Sequence, residues 1–295
     1  MSASVAEMTV DETPRRTARR AGHLNLPLAL GIALLAVMAL SAVFASLLRP
    51  AGPMAVDLAS VRLPPSWEHW FGTDAIGRDV LARTLFGGRV SLLVAGAGMA
   101  GSLLFGALMG MLGAFGGRYV RLIVDRVIDI QLAFPYVLLA IAITSVVRPS
   151  IPVLILLMVL AAWAGAARVV RSIALQERGK DYVKAATVIG ASPSRIALVH
   201  VFPSVVPSLQ VLAAMQMAAM IVFEATLSFL GMGVQPPTPS WGGIMLDGKN
   251  YMTSSWWLTI FPGLAIVLTS LSLVLIGDGL QARREAMRSR EGDAW

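Results

Sequence analysis

Few residues in this chain are of a type that does chemistry, and their spacing limits what they can do. Histidine occurs only at His23, His69 and His200, and cysteine is absent. Neither H-E-x-x-H nor G-x-S-x-G occurs, so a zinc hydrolase or a serine nucleophile lacks its residues. A phosphate-cradling G-x-x-x-x-G-K-[ST] loop is missing as well. The segment "ERGKD" has the Gly-Lys pair, but not the earlier glycine or the following hydroxyl. Residues 96–101, "GAGMAG", match G-x-G-x-x-G but lie inside an apolar run, with neither the preceding strand nor the later acidic residue of a dinucleotide site. Those glycines belong to a longer row, Gly98, Ser102, Gly106, Gly110 and Ala114, one small residue in every four. Such a row lets membrane helices approach closely at a bundle or subunit interface. One carboxylate stands clearly at membrane depth, Glu224 in "MIVFEATLSFLGMG". It is either a transport-path group or a structural hydrogen bond to a neighbouring helix, and both readings stand. A single carboxylate is thin for a proton-coupled pump, which needs a relay.

The elements that must position these residues are membrane helices. The 295 residues are 56% hydrophobic and 14% charged, where a soluble domain is about a quarter charged. The net charge of +7 falls in short blocks between apolar runs, a pattern of membrane topology rather than of nucleic-acid binding. The first run, residues 26–48, makes a helix of roughly 34 Å, enough for a ~30 Å hydrocarbon core and too long for a cleaved signal. Further runs at about 90–115, 128–147, 151–167, 204–232 and 257–277 bring the expected spans to six. The third and fourth are joined only by Arg148-Pro149-Ser150 in a tight hairpin. With the N-terminus inside, 17 of the 24 Lys and Arg residues fall on the inner side and 7 on the outer. The positive-inside rule then places both termini in the cytoplasm.

This divides the chain into a polar, disordered tail (1–25), a first span (26–48), an outer loop (49–89), a five-span core (90–280) and a charged tail (281–295). In the outer loop, Thr73 or Asp74 caps a short interfacial helix with Ile76, Val80, Leu81 and Leu85 as its stripe. A second outer loop, 233–256, has three prolines and three glycines in "VQPPTPSWGGIMLDGKNYM", which predict ordered turns. On the inner side, 171–203 reads as a helical hairpin. "QERGKDYVKAATVI" is a helix stopped at Gly190. Ser192 and Pro193 then start a short second helix that ends at Pro203. An inter-span connection of this length with its own caps is a docking element.

The hairpin "DYVKAATVIGASPSRIALVHVFP" resembles the EAA loop of ABC importer permeases. The spacing is intact, with departures at Lys184, His200 and Phe202. "FGTDAIGRDVLARTLFGGRVSL" and "EATLSFLGMGVQPPTPSWGGIML" are similar to the C-type permease of the dipeptide and oligopeptide importers, a branch that also carries nickel and glutathione. The resemblance implies an all-α integral membrane protein of type I ABC importer permease fold in the bacterial inner membrane. It implies a homologous second permease, two ATPase subunits that bind the ATP and Mg, an extracytoplasmic binding protein and a small peptide substrate, with no cofactor and no catalysis in this chain. It assigns coupling to Asp181, Ala185, Ala186, Gly190, Ala191, Ser192, Pro193, Arg195, Ile196, Val199, His200 and Pro203. Glu224 becomes a path candidate, and Trp241 and Asp247 candidates for binding-protein contact. The competing functions are a secondary, ion-coupled transporter and a membrane assembly protein without transport activity.

Overall fold

The computed structural model describes residues 26–292, with side chains to residue 287. The predicted tail at 1–25 lies outside the described residues. Helices α1 (Leu26–Val43) and α2 (Ala45–Leu48) lead into a long outer loop, then α3 (Val80–Phe115), α4 (Arg118–Ala133), α5 (Tyr136–Val146) and α6 (Ile151–Arg178). After these come α7 (Asp181–Val188), the short α8 (Pro193–Arg195), a π-helical turn (Ile196–Val201), α9 (Phe202–Phe229), α10 (Trp241–Gly248) and α11 (Trp257–Gly292). The segment from α8 through α9 is one helix, Pro193–Phe229. Five helices are long and apolar enough to cross a bilayer, or six if the bent α4–α5 pair is one span.

That pair corrects the expected third span, which is not a straight helix over 128–147. Phe134 precedes a proline and takes an extended backbone, φ −89° and ψ 126°, because the proline ring disfavours the helical region for the residue before it. The chain turns by 85° there. The predicted interfacial helix is absent too. Thr73 and Asp74 sit in a turn, and the cap is Asp79, whose carboxylate accepts from the Ala82 amide at 2.7 Å. From there α3 runs 36 residues without a break. The first tail residues after 280 continue α11 as helix to Gly292.

The row of small residues explains the centre of the bundle. Gly98, Ser102, Gly106, Gly110 and Ala114 are all buried, and α3 makes its most extensive packing against α6. A Cβ on Gly106 would meet the Ala166 Cβ and the Trp163 carbonyl at 2.7 Å, and one on Gly110 the Ala167 carbonyl at 2.6 Å. Backbones this close gain dispersion contacts that larger side chains would prevent. The row therefore closes a seam within the chain. Around it, Val94, Leu154, Met158, Ile221 and Leu227 form the main core, while α1 leans on α11.

Candidate functional site

The hairpin at the foot of α6 is built as its sequence suggests up to Ser192. Gly190 has φ +84°, the left-handed region that glycine enters at no steric cost. Its amide bonds the Thr187 carbonyl at 3.0 Å, and the Ala191 amide reaches back to Ala186 at 3.1 Å. These two bonds are the Schellman pair that closes a helix C-terminus. Ser192 Oγ then accepts from the Arg195 amide at 3.4 Å, with Pro193 in the first turn.

The second helix differs from expectation. It does not stop at Pro203, which lies exposed in the first turn of α9. The helix instead widens into the π turn at Ile196–Val201 and passes directly into the span. A wider turn tolerates the amide that a proline cannot supply, and π bulges recur at functional positions.

The hairpin has two faces. Val183, Ala186, Ile196 and Val201 pack inward on Ala114 and Ala174. Ile196 is thus a core residue of the hairpin and not part of its outer surface. On the outside, Val188, Ile189, Leu198 and Val199 are 86%, 83%, 67% and 60% exposed, beside exposed Arg195 and Ser194. Asp181, Ala185 and Lys184 lie on the exposed side of α7, with Lys184 paired to Asp181 at 2.9 Å.

The base is tied to the bundle. Arg178 donates to the Ala114 carbonyl and lies over the Phe115 ring at 5.0 Å. Arg171 pairs with Asp125 at 2.8 Å. Tyr182 Oη donates to Glu177 at 2.8 Å and approaches the His200 carbonyl at 3.4 Å. Partial burial and the Glu177 carboxylate push the Tyr182 hydroxyl above its usual range, so it remains a donor at neutral pH.

At the opposite end, Asp74 Oδ1 accepts from the Ile76 and Arg78 amides at 3.0 and 2.9 Å. Its Oδ2 accepts from Arg78 at 2.6 Å and Arg83 at 2.7 Å. Arg83 spans to Asp247 on α10 at 2.8 Å, and Arg78 reaches the same carboxylate at 3.3 Å. Beneath them Glu224 is fully buried. Ser91 donates to one of its oxygens at 2.9 Å and Ser228 to the other at 2.7 Å. Trp241 is only 3% exposed. Its indole donates to the Thr84 carbonyl at 2.9 Å and its amide to Ser91 at 3.2 Å. Trp241 is therefore an internal strut, not an outer contact, whereas Asp247 keeps 38% of its side chain exposed. In this state Glu224 faces hydroxyls at a helix junction rather than an open path. Among the described residues, no group of three or more His, Cys, Asp or Glu side chains could hold a metal ion.

Sequence reasoning missed Arg83, Ser91 and Ser228. Asp74 and Arg78 carried an i,i+4 signal, but Arg83 and Asp247 are 164 residues apart.

Comparison with known proteins identifies the assembly to which these features belong. The family model described as "Binding-protein-dependent transport system inner membrane component" matches residues 102–286. A putative peptide transport system permease protein of Brucella suis is 39% identical over 269 residues, covering 91% of this chain and 89% of the relative. The dipeptide transport system permease protein DppC of Alkalihalophilus pseudofirmus is 34% identical, covering 91% and 88%. In fold, the chain is similar to a chain of the MetNI methionine ABC transporter in an inward-facing conformation. The TM-score is 0.56 at 17% identity, covering 66% of this chain and 94% of that one. The chain belongs to the binding-protein-dependent transport system inner membrane components and is a multi-pass permease subunit of an ABC importer.

Proposed function

We propose that this subunit imports dipeptides or oligopeptides with a homologous second permease, and that its hairpin couples the path to two ATPase subunits in the cytoplasm. An extracytoplasmic binding protein delivers the substrate to the outer loops. ATP and Mg are held by the ATPases, and this chain performs no catalysis. The carrying observation is the hairpin: an apolar tip left exposed on a base bonded to α3, α4 and α6. Burying such a tip in a partner groove supplies association energy. The substrate class is supported by the relatives named as peptide and dipeptide permeases.

The mechanism follows from continuity. A displacement of the seated tip reaches α9 without crossing a loop, because Pro193–Phe229 is one helix of about 55 Å at 1.5 Å per residue. The Arg178 and Arg171 ties carry α3 and α4 with it. ATP binding switches access only if the ATP-bound partners favour one permease arrangement over the other.

The test is the reconstituted complex in vesicles, offered a panel of dipeptides, oligopeptides, metal chelates and glutathione. Uptake that requires ATP and the binding protein, strongest for peptides, supports the reading. Uptake by this chain alone, driven by an ion gradient, overturns it in favour of a secondary transporter.

A further inference from the structure

Halfway along α9 lies a polar group that the coupling and outer-face networks do not use. Gln216 stands 14 residues from the start of α9 and 13 from its end, so about 20 Å of helix separates it from either end. Its Nε2 is anchored twice. It donates to Ser102 Oγ on α3 at 3.0 Å and to the Ala162 carbonyl on α6 at 3.3 Å. Its Oε1 is buried and accepts no hydrogen bond from the described residues. An unmet buried acceptor is costly, and such groups in native proteins call for a reason. Because both donor positions of the amide are committed to acceptors, exchanging its oxygen and nitrogen would set the oxygen against the Ala162 carbonyl.

The surroundings supply a reason. Gln216 borders an open groove of about 120 Å³ whose other walls include Tyr136, Met158, Ala162, Met220 and Phe223. Tyr136 and Phe223 meet edge to face with ring centroids 5.0 Å apart. Tyr136 is placed there by the break at Pro135, since it opens α5 directly after the 85° bend. Apart from the Tyr136 hydroxyl the side chains of the groove are apolar, so Gln216 is the amide its walls present. A polar residue at mid-membrane depth in a transport protein marks a substrate path more often than a lipid face.

We infer that Gln216 Oε1 is an acceptor for main-chain N–H groups of a peptide passing along this groove, with Tyr136 and Phe223 receiving an apolar side chain. Oε1 is shielded in the present state and is uncovered as the α5–α6 unit parts from α9. The helix that carries Gln216 is the one whose foot forms the π turn, so the motion that couples to ATP also presents the acceptor. The orphaned oxygen becomes satisfied only with substrate in place, which favours the occupied intermediate. This inference rests on the peptide reading above.

The test uses the reconstituted complex and pairs of peptides differing by one N-methyl group on a peptide bond, with binding-protein affinity measured separately and divided out. The wild-type complex is expected to prefer the unmethylated peptide at one bond by about tenfold in KM for transport, the worth of roughly one hydrogen bond. Gln216→Met, close in volume and without an acceptor, is expected to lose that preference. Gln216→Glu, which keeps an acceptor, is expected to retain it. Equal discrimination in wild type and Gln216→Met assigns the residue to helix packing and overturns the inference. Where Gln216→Met does not assemble, the wild-type N-methyl scan decides alone: no methyl-sensitive bond overturns the inference. If the wild-type complex transports no peptide, the substrate reading falls and this inference with it, whereas peptide uptake with unchanged discrimination removes this inference only.

Discussion

The two ends of the molecule solve opposite problems. At one end, Asp74, Arg78, Arg83 and Asp247 consume one another's hydrogen-bonding capacity, and Glu224 is closed by Ser91 and Ser228. Little there is left unpaired. At the hairpin end the ties to the bundle hold only the base, and four large aliphatic side chains are turned outward at the tip. A region that completes its own bonding has its geometry set within the chain, whereas one that leaves apolar surface exposed has its energy completed by another molecule. The contrast makes the Asp74 end a fixed frame and leaves the hairpin tip a surface open to attachment.

Four mutations probe this contrast, with expected losses of stability that fall from the first to the last. Asp74→Ala should cost about 3–5 kcal/mol, since it leaves two guanidinium groups without their buried partner. A lowered melting temperature of the purified subunit in detergent would register this, and an unchanged one would deny that the outer network is structural. Glu224→Leu should cost about 1–3 kcal/mol by orphaning the Ser91 and Ser228 hydroxyls. Differential scanning fluorimetry on that variant reads the loss. Gly190→Val should cost about 1–2 kcal/mol, all of it backbone strain, because no atom lies within 4 Å of the added Cβ. Its larger consequence is a displaced tip, seen as weakened co-purification of the ATPases. Leu198→Asp should change stability by less than about 0.5 kcal/mol, yet reduce ATPase capture more than tenfold. Full capture by Leu198→Asp would erase the distinction between frame and attachment.

How much of this was legible depended on how far apart the deciding residues lie. The hairpin turn was readable because Gly190, Ser192 and Pro193 act on their immediate neighbours through φ, a side-chain cap and a first-turn preference. The small-residue row was readable because its period is that of one helix face. Pro135 and Pro203 act in opposite ways. A proline in a membrane helix can be absorbed or can break it, and the packing around it decides. Pro135 ends a helix with an 85° bend, whereas Pro203 is absorbed by the π turn. The resemblance offers Trp241 for binding-protein contact, but its indole is claimed by Thr84, 157 residues earlier. Gln216 carried a signal in plain view, an amide within "VLAAMQMAAMIVF", whose meaning depended on which helices faced it.

The π turn at Ile196–Val201 also sets an angle. Each residue of an α-helix advances the side-chain direction by about 100°, so the number of residues in that turn fixes the azimuth of every group above it relative to the hairpin below. Gln216 points toward α3 and α6, and Glu224 toward Ser91, only because the count is what it is. Removing one residue from the turn would leave the tip and the span each intact but rotate one against the other by over a quarter of a revolution. The turn is the protein's phase reference, matching the orientation of the exposed hairpin surface to that of groups buried in the bundle.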